Sequence, residues 1–331
     1  MKHQFLKRSR GVAKALGATL GACVMVSAMV AANAAHAAEK VRLAMPTQSW
    51  WPTTVVTAAS KLKLFQKEGV DAEITVYKGG GPAFEALAAK AADMTINPAY
   101  LVALGRGKGI ESKIVATGST VYGGWYLVVP KNSTVKNVAE LAGKKIGITA
   151  NGSITDFLAL WTAHKYNVKF TRIPVGGGGL IPNLTTGNID AAVVYSPISF
   201  QLLSDGSARS LINFGKEVPP DANAAWIATD AMIKSNPKAV QGTLNAIFGA
   251  VQYLQTHEAY AVKLIAELND LPQKVATLEY EHSIMGASKT GEVSPKAVEN
   301  SIALGKMGGL TKLAPAADTY VTTFKAVPAT P

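Results

Sequence analysis

Downstream of Cys23 the chain contains no cysteine. That excludes a disulfide framework, a thiolate nucleophile and a cysteine-ligated metal over the remaining sequence. Other absences narrow the field further. No cluster of Lys and Arg forms the stripe that nucleic-acid binding needs. Neither glycine run matches G-x-x-x-x-G-K-S/T or the full G-x-G-x-x-G context, so nucleotide binding is rejected. H-E-x-x-H, G-x-S-x-G and paired carboxylates in a shared motif are all missing. His164, His257 and His282 are scattered on predicted helices, where packing or surface roles outweigh catalysis. After the N-terminal region, no apolar stretch is long enough to span a membrane.

The N-terminus must be set aside before the fold is considered. Lys2, Lys7, Arg8, Arg10 and Lys14 form a basic segment, and Ala15 to Ala34 is an almost unbroken apolar run. Ala35-His36-Ala37 is an A-x-A cleavage site. Residues 1–37 read as a secretory signal removed before Ala38, which predicts a periplasmic protein. Leu20-Gly21-Ala22-Cys23 loosely resembles a lipoprotein box, but apolar sequence continues past Cys23, which argues against lipidation. The chain carries 33 Lys+Arg and 22 Asp+Glu, a net of +11. With five basic residues in the signal, the mature chain has 28 minus 22, or +6. A modest positive field helps draw in small anions. The 294 residues after the signal (331 minus 37) suffice for two domains.

The stretch from Lys144 to Tyr166 organises the rest. Lys145 to Thr149 is short, β-prone and bounded by a turn, so it reads as a buried strand. Ser153 followed by Asp156 is a capping-box pattern that makes Ser153 the N-cap. Ile154, Phe157, Leu158 and Trp161 then share one helical face. Strand, small polar turn and helix together place free backbone N–H groups and the positive end of a helix dipole where an anionic group could sit.

The preceding segment alternates strands and helices. Strands are predicted at Val41–Met45, Asp71–Tyr77, Met94–Asn97, Lys113–Gly118 and Trp125–Val129. Helices follow Pro52, Pro82 and Pro98. The loop from Pro46 to Pro52 holds Trp50 and Trp51, of which one is expected to pack and the other to face a cleft. GGGPAFEALAAKAADMTINPAY and GGGGLIPNLTTGNIDAAVVYSPIS share one layout: glycine run, helix, Asp, apolar strand, then Asn-Pro or Ser-Pro. This internal repeat predicts two similar α/β units with glycine turns at their strand ends, where open α/β sheets hold ligands. Trp226–Thr229 reads as a strand returning to the first unit. Beyond Pro237 the chain is predicted helical, with Val240, Leu244, Ile247, Val251 and Leu254 on one face.

LFQKEGVDAEI, GGGPAFEALAAKAADMTINPA, LAGKKIGI and GNIDAAVVYSP, in this order and spacing, resemble the substrate-binding proteins of ABC importers in the nitrate/sulfonate/taurine group, the NMT1/THI5-like or SsuA/TauA family. The resemblance implies an α/β, two-lobed periplasmic binding protein of type II. Each lobe is a mostly parallel sheet flanked by helices, with ligand in the cleft between them. It puts lobe one at 38–123 plus 226–331 and lobe two at 124–225. It also implies a ligand site at Gln48, Ser49, Trp50, Trp51, Gly80, Gly81, Pro82, Asn97, Tyr100, Tyr122 and Trp125, and in lobe two at Asn151, Gly152, Ser153, Thr155, Gly178 and Tyr195. Arginine is missing from nearly all these loops, so helix N-termini, hydroxyls and amides must hold an anion. The aromatics suit an organic anion better than bare nitrate. The implied partners are that ligand and an inner-membrane ABC permease. The protein is expected to be a monomer with no cofactor, metal or nucleic acid.

Two rival readings follow from the same residues. One is an enzyme or precursor binder resembling the pyrimidine synthases of thiamine biosynthesis, whose cysteine-rich signature is absent. The other is a periplasmic module that senses a solute.

Overall fold

The computed structural model describes residues 38–331, and the signal-peptide reading, with Cys23 and the cleavage site, lies outside the described residues. The first part runs β1 (Glu39–Met45), α1 (Trp51–Lys61), α2 (Leu64–Lys67), β2 (Val70–Val76), α3 (Gly80–Ala88), β3 (Met94–Asn97), α4 (Ala99–Arg106) and β4 (Ser112–Ser119). The second runs β5 (Tyr126–Pro130), β6 (Lys145–Ile148), α5 (Ile154–Lys165), β7 (Thr171–Pro174), α6 (Leu180–Thr185), β8 (Ala191–Val194), α7 (Ile198–Ser204), β9 (Ala208–Asn213) and α8 (Phe214–Glu217). Then come β10 (Ala224–Thr229), α9 (Asp230–Ser235), α10 (Pro237–Thr256), α11 (Glu258–Asn269), α12 (Gln273–Glu279) and α13 (Pro295–Met307).

The strands form two five-stranded sheets, ordered β2-β1-β3-β10-β4 and β7-β6-β8-β5-β9. In the first, β10 runs antiparallel to β3 and β4, while β1 is parallel to β2 and β3. In the second, β5 is the reversed strand, between β8 and β9, and β6 is parallel to β7 and β8. Four strands of each sheet therefore share a direction. The exception is each time the strand reached on crossing from the other sheet. β3 (MTIN) and β8 (AAVV) are buried along their whole length. Burial along a whole strand of this kind belongs to the middle of a sheet covered on both faces.

The chain crosses between Ser119 and Tyr126 and returns between Asn213 and Ala224. The two crossings are tied together. Asp221 N–H donates to the Thr120 carbonyl at 2.9 Å, and the Tyr122 hydroxyl donates to Asp221 Oδ2 at 3.1 Å. The predicted apolar face of α10 is fully buried against α1, α2, β1 and β2, which anchors the C-terminal helices on the first sheet. α12 ends at Glu279 and a π-helical turn, Tyr280–Ile284, follows.

Candidate functional site

Loops leaving the carboxyl ends of β1, β3, β6 and β8 converge between the two sheets. They enclose a cavity of about 20 Å³, the room of roughly one water molecule. Pro46, Thr47, Trp50, Gly80 and Asn97 line it from the first half, and Trp125, Thr149, Ser153, Ile154, Thr155 and Tyr195 from the second. The halves are shut around it. Ser49 Oγ and Tyr195 OH are 3.1 Å apart, Ser196 Oγ and Ser283 Oγ 2.7 Å, and the rings of Tyr100 and Phe157 4.4 Å between centroids. Gly81 lies so close to the Asn151 carbonyl that a Cβ there would collide with its oxygen.

Three helices begin at this cavity. Trp50 is the N-cap of α1, Gly80 the first residue of α3, and Ser153 the N-cap of α5. First-turn N–H groups have no intrahelical acceptor, so Ile154 and Thr155, like Gly80 and Gly81, offer free backbone donors at positive helix ends. The α5 cap differs from the sequence pattern in one respect. Ser153 Oγ accepts from Asp156 N–H at 3.3 Å as expected, but the Asp156 carboxylate accepts from Gly152 N–H, one residue earlier than a capping box requires. Its other oxygen is paired with Arg172, which holds the loop from outside the cavity.

Hydroxyls form a directed chain on the second wall. Ser153 Oγ donates to the Ala150 carbonyl at 2.6 Å, so it can only accept from Thr155, 2.7 Å away. Thr155 must then accept from Thr149 Oγ1 at 2.9 Å. These protons are all engaged within the protein. The donors left for a ligand on this wall are backbone N–H groups. On the opposite wall Thr47 Oγ1, Trp50 Nε1 and Asn97 Oδ1 are buried without a partner among the described residues. Among the described residues, no lysine, arginine, aspartate or glutamate lines the cavity.

Of the residues named from sequence, Trp50, Gly80, Asn97, Trp125, Ser153, Thr155 and Tyr195 line this one cavity. Trp50 stands edge-on to Trp125, their centroids 6.1 Å apart, and Trp51 packs behind it against Gly118. Gln48, Ser49 and Gly178 line a wider groove of about 680 Å³ at the mouth, together with Lys78 and Asp270. Gly81, Asn151 and Gly152 make the contact between the halves, with the Asn151 side chain exposed. Tyr100 and Tyr122 are buried and line no part of the cavity. Pro46, Thr47, Thr149 and Ile154 were missed. Thr149 directly follows the end of β6 and Thr47 comes two residues after that of β1, and that position is the signal that could have found them.

Burial raises several acids here. The Tyr195 phenol is pushed up by desolvation, against which its bond with Ser49 acts. Asp221 is pushed up to about 8 by burial, partly offset by Tyr122, and Glu279 to about 8 by burial, partly offset by Ser283 and Ser196.

A family model described as NMT1/THI5 like matches residues 52–261. A Brucella abortus (strain 2308) protein, named as a binding protein, is 27% identical over 279 residues and matches 82% of each chain. The alkanesulfonate-binding protein SsuA from Xanthomonas axonopodis pv. citri, solved bound to MOPS, superposes with a TM-score of 0.73 at 18% identity, over 85% of this chain and 98% of its own. The periplasmic aliphatic sulphonate binding protein SsuA from Escherichia coli gives 0.67 at 17% identity, over 86% and 93%.

Proposed function

The chain belongs to the NMT1/THI5-like family, and from that premise we propose that it is the extracytoplasmic solute-binding component of an ABC importer. It captures a small organic anion, a sulfonate or carboxylate, and delivers it unchanged to a permease in the inner membrane. It acts as a monomer in the periplasm. Its working units are lobe one, 38–123 plus 226–331, and lobe two, 124–225, hinged at the two crossings. Gly124, at φ +78°, lies within the first crossing, in a conformation other residues avoid.

The observation that carries this reading is the cavity built from both halves, with helix N-termini from each and no charged side chain in its wall. Three helix ends suit an anion without a fixed counter-ion. A ligand touching both walls favours the closed state by its differential affinity for closed over open. The names of the sulfonate-binding relatives point to the same chemistry. The test is a thermal-shift screen of sulfonates, aliphatic and aromatic carboxylates, nitrate and pyrimidines. A ligand at 100 times its Kd adds about 2.7 kcal/mol. Organic anions are expected to raise the melting temperature most, and to be recovered unaltered after long incubation. Stabilisation by neutral pyrimidines alone, or recovery of a product, would replace this reading with the thiamine-precursor or enzyme one.

A further inference from the structure

Asn97 closes the floor of the cavity at the end of β3, with only 1% of its surface exposed. Which way its amide points follows from its neighbours. The Thr95 hydroxyl donates to the Ala44 carbonyl at 2.7 Å, so its oxygen is left as an acceptor. Asn97 Nδ2 donates to that oxygen at 3.3 Å. A flipped amide would set two acceptors against each other, so the nitrogen is fixed toward Thr95 and the oxygen away from it. Oδ1 has no hydrogen-bond partner among the described residues. Beside it is Gly80, where a Cβ would collide with that oxygen. A buried carbonyl oxygen held in one orientation and left unpaired calls for a hydrogen-bond donor.

A plain sulfonate or carboxylate has none. Its oxygens could accept from Trp50 Nε1 and the helix N–H groups, but one placed beside Asn97 Oδ1 would face it acceptor to acceptor. We propose that Asn97 is a specificity residue that selects ligands carrying an N–H or O–H donor beside the anionic group, that is, amino- or hydroxy-substituted organic acids over unsubstituted ones. The inference rests on the solute-binding reading above and sharpens it to a ligand class. Sites built to pair a ligand's polar group reject the analogue that lacks it, because their own buried group is then stranded.

The test is calorimetric titration with two matched series: ethanesulfonate, 2-hydroxyethanesulfonate and 2-aminoethanesulfonate; and propanoate, 3-hydroxypropanoate and 3-aminopropanoate. In a series that binds, a donor-bearing member is expected to bind roughly 5- to 150-fold tighter than the unsubstituted one, the range for stranding a buried acceptor. The better of the hydroxyl and amino members identifies the donor. Asn97→Leu is expected to bring that ratio to within about twofold while the unsubstituted acid binds as well or better. Equal or tighter binding of the unsubstituted acid by the natural protein overturns the donor requirement and leaves solute binding intact, whether or not the variant folds. A ratio that survives in folded Asn97→Leu removes Asn97 from the role. Binding of no member in either series overturns this inference, while the anion reading stands or falls with the thermal-shift screen.

Discussion

The two glycine runs look alike in sequence and are used differently. Gly79–Gly81 opens α3 at the cavity and touches the other half, where Gly79 would place a Cβ 2.7 Å from that of Ala150. Gly176–Gly179 makes a single 3-10 turn at the outer groove, where a Cβ on Gly178 would meet nothing within 4 Å. The first run is glycine because two lobes must meet there. The second needs glycine at Gly176, for its φ of +75°, and at Gly177, where a Cβ would come within 2.7 Å of the Tyr195 hydroxyl and 3.1 Å of Thr47, but not at Gly178. A repeat in sequence thus marks a repeat in fold, and it does not carry over to function position by position.

The largest effect that could break this contrast is expected at Gly81. Gly81→Ala adds a methyl that only the closed state excludes, and an overpacking cost of about 1–3 kcal/mol weakens ligand binding by roughly 5- to 150-fold. X-ray scattering with ligand should show less compaction than in the natural protein, at an unchanged melting temperature without ligand. Full affinity in this variant would mean that closure does not bring these loops together.

Next in size is a pH effect at the opposite edge of the closed interface. Glu279 Oε2 accepts from Ser283 at 2.7 Å, and Ser283 meets Ser196 of the other half. Its folded-state pKa of about 8 lies above the ordinary value of about 4.3. The folded protein therefore holds a proton that the unfolded chain releases, and stability falls as pH rises from about 4 to about 8. Asp221 adds a slope of the same sign. Melting curves at pH 5, 7 and 9 should show a shallower decline in Glu279→Gln than in the natural protein. Parallel declines would remove Glu279 from the account.

Smaller effects separate neighbours within one loop. Ser153→Ala loses an N-cap and costs about 0.5–2 kcal/mol, whereas Asn151→Ala, which trims an exposed side chain, should be close to neutral by denaturant titration. Smallest of all is Gly178→Ala, expected to change affinity less than twofold, since ordinary surface substitutions stay within about 0.5 kcal/mol.

Much of this was legible beforehand because it rests on local rules. Ser153 as a cap, Pro82 in a first turn, the α10 face and the apolar run of β8 are short-range patterns. β9, ARSLIN, went unread because Arg209 and Ser210 interrupt its apolar pattern at the edge of a sheet. The choice between Trp50 and Trp51 needed tertiary contacts, since both are apolar and adjacent. The orientation of Asn97 needed the Thr95–Ala44 hydrogen bond, a link between strands about fifty residues apart. No spacing rule carries that information.

The reversed strand of the first sheet, β10, also bears on the order in which the chain can assemble. The second sheet is drawn from one uninterrupted segment, β5 to β9, and can complete itself as soon as Asn213 is available. The first cannot. β3 and β4 flank a gap that only β10 fills, pairing Ala225 with Asn97 and Trp226 with Ala116 across more than a hundred residues. Such distant pairing is slow, because the closure entropy falls due before the contacts form. A chain emerging N-terminus first therefore carries its earlier half unfinished while the later half is already formed. The half made first is the last to become native.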